Sequence, residues 1–230
     1  MTQRVIEITS PAFADIHSLG RDYDLNQLFP VRQPLALEIG CGIGDFIVQR
    51  AAEQPQVNFI AIDIFNKGCY KTCRRVDRSG LSNVRVMRVE ARQLLSYCGR
   101  ADMLSAVYIN CPDPWPKKRH RNRRLLNRTF LTQLLYYLQP EGELFFVTDF
   151  ADYAYQVAQL FPAVAGYENM LPAPFFTEMD DYPLSKYMRK FRDQGLPLYF
   201  QHQRRRADFT LRESELPPTD KGFRTRHLLE

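Results

Sequence analysis

Leu35-Ala36-Leu37-Glu38-Ile39-Gly40-Cys41-Gly42-Ile43-Gly44 joins an apolar run of strand length to a loop with glycine at every second position. Residues 45–53 behind it carry the apolar spacing of an amphipathic helix. Strand, glycine turn and helix in that order open an α/β unit, and the chain repeats the alternation. Further apolar strands are expected at 57–62, 84–89, 104–109 and 144–147. Helices are expected at 66–78, where Ser79-Gly80 stops the pattern, at 91–97, and at 125–138, closed by Gln139-Pro140-Glu141-Gly142. Right-handed crossovers between such strands make a parallel sheet and an open α/β fold. Residues 1–34 are weakly patterned and read as an N-terminal arm with one short helix. Residues 35–203 form the main domain, and 204–230 read as a basic, loosely ordered tail.

Ligands of open α/β sheets bind beyond the carboxyl ends of the strands. Glu38, Asp63, Glu90, Asp113 and Asp149 all fall within or just after the ends of successive strands, so one edge of the sheet is expected to be acidic. The glycine loop, with Gly40 and Gly42 as its ligand-facing turns, must then choose between two nucleotides. A dinucleotide fingerprint needs a third glycine where this chain has Asp45, and a carboxylate at that helix start repels pyrophosphate. S-adenosylmethionine carries no phosphate and bears two cationic groups, so it suits Glu38 and the acids beside it. Asp63 has the reach to accept both ribose hydroxyls, and Glu90 to accept the adenine amino group.

The fourth strand runs into Asn110-Cys111-Pro112-Asp113-Pro114-Trp115-Pro116. Three prolines restrict the backbone and hold Asp113 and Trp115 in a stiff loop. Trp115 has two readings, a packed wall behind the loop or a stacking face for a base. Seven cationic side chains follow between Lys117 and Arg128 without an acid among them. Removing them from the formal net charge of +5 leaves about −2, so the basicity of this chain is local. A local cationic patch beside an indole points to a polyanion that carries bases, with Lys117, Arg119, Arg123 and Arg124 placed to hold phosphates.

Composition narrows the setting. The chain has 230 residues, 45% of them hydrophobic, enough for one domain with its own core. No run approaches the ~18 apolar residues of a membrane span. Five scattered cysteines form no C-x-x-C pair, so reduced thiols, a cytoplasmic location and no metal site are expected.

With these residues assembled, the chain resembles the bacterial tRNA (guanine-N7)-methyltransferases. The resemblance rests on Leu37-Glu38-Ile39-Gly40-Cys41-Gly42-Ile43-Gly44, on residues 58–63, and above all on Pro112-Asp113-Pro114-Trp115-Pro116-Lys117-Lys118-Arg119-His120 with Arg123-Arg124-Leu125 behind it. It implies a Rossmann-like methyltransferase fold, a mostly parallel seven-stranded sheet with helices on both faces. It implies cofactor contacts at Glu38, Asp63, Glu90 and Asp113, substrate contacts at Lys117, Asp149 and the segment Ser185, Tyr187 and Met188, and tRNA as the partner, with no obligatory protein partner. Asp113 is the expected catalytic residue. The family's Thr-x-x-Glu stands here as Ser185-Lys186-Tyr187-Met188, a thioether in place of a carboxylate that would read guanine. That departure motivates an alternative, a cofactor-binding RNA protein with lost or altered activity. A methyltransferase for another base is a further alternative, and a dehydrogenase is set back by Asp45.

Overall fold

The computed structural model describes residues 5–219. Its sheet has seven strands in the order β3-β2-β1-β4-β5-β7-β6. They are β1 (Leu35–Ile39), β2 (Asn58–Asp63), β3 (Val84–Arg88), β4 (Leu104–Asn110), β5 (Leu138–Thr148), β6 (Tyr167–Asn169) and β7 (Tyr199–Arg205). β1 to β5 pair in parallel, and β7 runs antiparallel to both of its neighbours. The sheet is therefore mixed and mostly parallel, and Rossmann-like. Strand order reverses between β1 and β4, which places the switch point at the end of β1.

Six helices cover it: α1 (Asp45–Glu53), α2 (Asn66–Arg78), α3 (Ala91–Cys98), α4 (Arg128–Tyr137), α5 (Ala151–Leu160) and α6 (Lys186–Asp193). Alternate strand residues divide between two cores. Leu35, Leu37, Ile39, Ile60 and Ile62 pack with Leu94 of α3, Phe130 and Leu134 of α4, and Tyr153 and Val157 of α5. Ala36, Phe59, Ala61, Val84 and Val86 pack with Phe46 and Ile47 of α1, Cys69 and Cys73 of α2, and Met188 of α6. Both faces of the central strands are thus buried, which is why these strands are continuous apolar runs.

The glycine loop depends on close approach of α2. A Cβ on Gly44, whose φ is +83°, would lie 2.8 Å from Cγ2 of Thr72, and one on Gly68 would lie 2.6 Å from the carbonyl oxygen of Gly42. Neither position admits a larger residue without moving the loop away from the helix.

Four expectations are revised. The helix expected over 125–138 starts only at Arg128, because the Asn127 side chain caps it by accepting from the Phe130 N–H at 2.9 Å. The turn expected at 139–142 is a bulge within β5: pairing with β4 passes from Leu104–Leu138 directly to Ala106–Glu143. The N-terminal segment is built into the domain. Phe13 bridges Val86 at the outer edge of β3, and Ala12, Ala14, Ile16, Leu25 and Phe29 are buried. At the other end, β7 continues through Arg204 and Arg205, and Gln133 donates to the Pro217 carbonyl at 3.1 Å. The expected tail is therefore tied to α4 through Pro217 and Thr219, although most of residues 206–219 are exposed, and residues 220–230 lie outside the described part. No described helix is long and apolar enough to cross a membrane.

Candidate functional site

A cleft of about 250 Å³ opens at the carboxyl ends of β1 to β4. Ile39, Gly40, Ile62, Asp63, Val89, Glu90, Asn110, Asp113, Trp115, Arg123 and Leu125 are among its lining residues. Asp63 accepts from the Gly42 N–H at 2.9 Å and from the Phe65 N–H at 2.8 Å, which fixes its carboxylate at the rim. Burial raises its pKa, backbone donors from Phe65 and Gly42 oppose the rise, and the nearby charge of Asp113 adds to it. Glu90 caps α3, accepting from the Arg92 N–H at 2.7 Å and pairing with the Arg92 guanidinium at 2.6 Å. Its carboxylate is held in place by its own helix while still facing the cleft.

Glu38 and Gly42 are not among the residues that line the cleft. The carboxyl of Glu38 is buried beneath it, 3.4 Å from the amide nitrogen of Asn110, a residue that does line the cleft. Asn110 in turn accepts from the Tyr182 hydroxyl at 2.7 Å. Burial pushes the Glu38 carboxyl up to about 8, against the Asn110 hydrogen bond and with the charges of Asp63 and Asp45. Its Oε2 is buried with no hydrogen-bond partner. An orphaned buried acceptor beside a second and third acid is an arrangement that a cationic ligand completes. Asn110 and Tyr182 were not singled out from the sequence; Asn110 stood in the quoted loop, and Tyr182 comes from a distant segment.

Asp113 is exposed at the mouth of the cleft. Its loop is bracketed by Cys111 and Trp115, whose φ values of +45° and +44° lie in a region that costs non-glycine residues energy. The loop is also gripped from below. Arg124 donates from Nε to the Pro114 carbonyl at 2.8 Å, from one terminal nitrogen to Asp152 at 2.7 Å, and from the other to Gln156. Its side chain is fully buried over the Tyr153 ring. The expectation that Arg124 holds phosphate is therefore corrected: every one of these donors faces the protein. Lys117, Arg119 and Arg123 are exposed. The Arg123 guanidinium lies 5.0 Å from the centre of the Trp115 ring, and both residues line the cleft. Asp149 follows β5 next to Cys111, whose thiol is pushed up to about 12 by burial and by the Asp149 charge.

The segment 185–188 is rearranged relative to expectation. The Ser185 hydroxyl caps α6 by accepting from the Met188 N–H at 3.2 Å. Met188 is fully buried in the core beneath α1 and α2, so its thioether does not face the cleft. Helical spacing explains this, since the third residue after the cap turns back under the helix while Tyr187 points outwards, 62% exposed.

Carboxylates at four strand ends, an orphaned acceptor and a cationic rim can bind a cationic nucleoside on one side and a polyanion on the other. Residues 32–201 match a family model described as a putative methyltransferase. The tRNA (guanine-N(7)-)-methyltransferase of Syntrophotalea carbinolica is 54% identical over 225 residues, which are 98% of this chain and 97% of that protein. The tRNA (guanine-N(7)-)-methyltransferase of Geobacter metallireducens is 52% identical over 207 residues, 90% of this chain and 98% of that protein. In fold, an rRNA methylase from Streptococcus thermophilus superposes with a TM-score of 0.53 at 13% identity, over 76% of this chain and 87% of that one. The chain belongs to the tRNA (guanine-N(7)-)-methyltransferase family.

Proposed function

We infer that the protein methylates N7 of a guanine in tRNA, in the cytoplasm, using S-adenosylmethionine. The observation that carries this for the present chain is one cleft lined by Asp63, Glu90 and Asp113, with Glu38 buried beneath it, which the exposed cationic segment reaches through Arg123. When bound, the cofactor supplies a methyl group on a positively charged sulfur. Guanine N7 has a free lone pair, so the protein needs no general base; alignment and a well-placed negative charge do the work. Asp63 would hold the ribose hydroxyls and Glu90 the adenine amino group. Glu38, through its unpartnered oxygen and Asn110, would hold the amino group of the methionine part. Asp113, on its braced loop, would stand beside the purine as positive charge develops there. Lys117, Arg119 and Arg123 would hold tRNA phosphates, and Asp149 and Tyr187 remain candidate substrate contacts. The alternative of an inactive RNA-binding protein rested on Met188, and that side chain lies in the core. Incubation with labelled S-adenosylmethionine and unmodified tRNA, followed by mapping of the product base, tests the reading. Label on any atom but guanine N7 would overturn it.

A pH signature follows from Glu38. Below pH 8 the carboxyl is largely protonated in the free protein, because its folded pKa of about 8 exceeds the usual 4.5. A cationic ligand favours the ionised form, so binding must expel a proton. Cofactor affinity is expected to rise between about pH 6 and 7, before the ligand's own amino group titrates. Calorimetry in buffers of different ionisation enthalpy should count close to one proton released. Glu38→Gln should abolish that release and weaken binding; an unchanged proton count would remove Glu38 from the site. The same carboxyl makes the free protein less stable as pH rises from 4.5 to about 8, since the folded state binds the extra proton there.

The cationic segment has its own test. Lys117→Glu and Arg119→Glu should each weaken tRNA binding and lower the slope of log affinity against log salt by roughly 0.7 to 0.9. Cofactor affinity should not change. An unaltered slope would make the run a solvated face.

A further inference from the structure

The edge of the sheet beyond Asp149 carries a cluster of rings that the chemistry above does not use. Tyr199 opens β7 and pairs in register with Thr148, the last residue of β5. The segment before α6 lies along the same strand: Phe176 and Phe200 exchange two backbone hydrogen bonds, at 2.9 and 2.7 Å. Phe175 beside it meets the Tyr199 ring edge to face, with centroids 5.2 Å apart at 85°, and the Tyr155 ring at 5.1 Å and 89°. Tyr155 stands on α5, the helix that follows Asp149, and is 58% exposed. Two strand spacings, about 10 Å, separate β7 from β4, whose end carries the Asp113 loop.

The surroundings of Tyr155 reach the basic segment. It shares a surface cleft with Arg121 and Asn122 of the basic segment and with Asp152 and Gln156 of its own helix. Asp152 pairs with both Arg121 and the buried Arg124, which ties the basic segment to α5 beside Tyr155. A perpendicular ring pair uses at most one face of each ring, and an exposed tyrosine packed on a ring that a second ring backs is held at little entropic cost. A rigid aromatic face beside a cationic track is the arrangement that binds unstacked nucleic acid bases.

We propose that Tyr155, packed on Phe175, which Tyr199 backs, is a stacking platform for an unpaired nucleotide of tRNA near the methylated base. The proposal rests on the tRNA reading above and adds a contact that reads no base edge. The chain would thus hold its substrate at two places: phosphates on residues 117–123, and a base on α5.

The test measures the dissociation constant of unmodified tRNA for the full chain and its variants. Tyr155→Ala is expected to raise it at least fivefold. Tyr155→Leu should do the same, because leucine keeps apolar contact with Phe175 but offers no ring face, while Tyr155→Phe should bind like the parent protein. The salt slope should stay the same in all three variants, since no phosphate contact is lost. Full binding by Tyr155→Leu would reduce the cluster to packing and overturn the platform, as would unchanged binding by Tyr155→Ala. A lowered salt slope would assign the contact to phosphate instead. If the parent protein binds tRNA and methylates N7 while the variants are unaffected, only the platform fails; if the parent protein does neither, the functional reading fails with it.

Discussion

Asp113→Asn is expected to slow methyl transfer about 10²- to 10³-fold, the cost of removing one preorganised electrostatic contact to a developing charge. The substitution keeps the size and shape of the side chain, so the loop between Cys111 and Trp115 keeps its strained geometry. What it removes is the negative charge beside a purine that becomes cationic as the methyl group arrives. It also relieves Asp63, whose pKa the Asp113 charge helps to raise. The reading is a single-turnover rate at saturating cofactor and tRNA, which separates chemistry from binding. A rate within threefold of the parent protein would leave alignment alone as the source of catalysis.

Arg124→Ala is expected to damage both stability and rate, although the side chain touches neither ligand. It strips the Pro114 carbonyl, Gln156 and Asp152 of a shared partner and leaves a void over Tyr153. Asp152 is 38% exposed and regains water, so the loss falls at the low end for a broken buried pair. About 3 kcal/mol is expected, a fall of roughly 6–12 °C in melting temperature for a chain of this size. Arg124 acts as a positioning residue through the peptide next to Asp113. Arg124→Lys should keep a charge for Asp152, but its single nitrogen cannot reach all of the partners that the guanidinium meets from three nitrogens, so it should fold and still show a lowered kcat with little change in the KM for cofactor. A lysine variant with normal kcat would make Arg124 a purely structural residue.

These two residues are neighbours in the chain's most distinctive stretch, yet only one was assigned correctly by type of environment from the sequence. Asp113 sits at a strand end between prolines, and local rules place it at the mouth of the cleft. Arg124 looks like the last phosphate contact in a basic run, because a run of like charges carries no mark of which member turns inwards. What turns it is Asp152, 28 positions away on α5. Met188 was misjudged in the opposite sense: a departure from the family spelling suggested a changed site, and the structure puts the side chain into the core.

β7 escaped the sequence reading for a related reason. Its residues Gln201, Gln203 and Arg205 are polar but buried, and each donates to a partner from elsewhere: Gln201 to the Ala154 carbonyl at 2.7 Å, Gln203 to Asn169 at 3.1 Å, and Arg205 to Asp102 and two carbonyls. A strand whose inward face is largely hydrogen-bonded rather than apolar has no hydropathy signature, even though Oε1 of Gln201 and Nε of Arg205 find no partner. The two antiparallel pairings of β7, and with them the ring cluster at Tyr199, became visible only through these partners.

By itself the sequence determined the alternation of strands and helices, the glycine turn after β1, and the row of acids at the strand ends. Each of these is local: apolar period, glycine spacing and position relative to a strand end are properties of a few adjacent residues. Only the tertiary structure decided which charges line the cleft. It buried Glu38 under the cleft with one oxygen unpartnered, spent Ser185 on a helix cap, and turned Arg124 into a brace for the Asp113 loop. A buried polar group is costly where no partner meets it, and the partners of Glu38 and Arg124 come from Asn110 and Asp152, on segments distant in the chain.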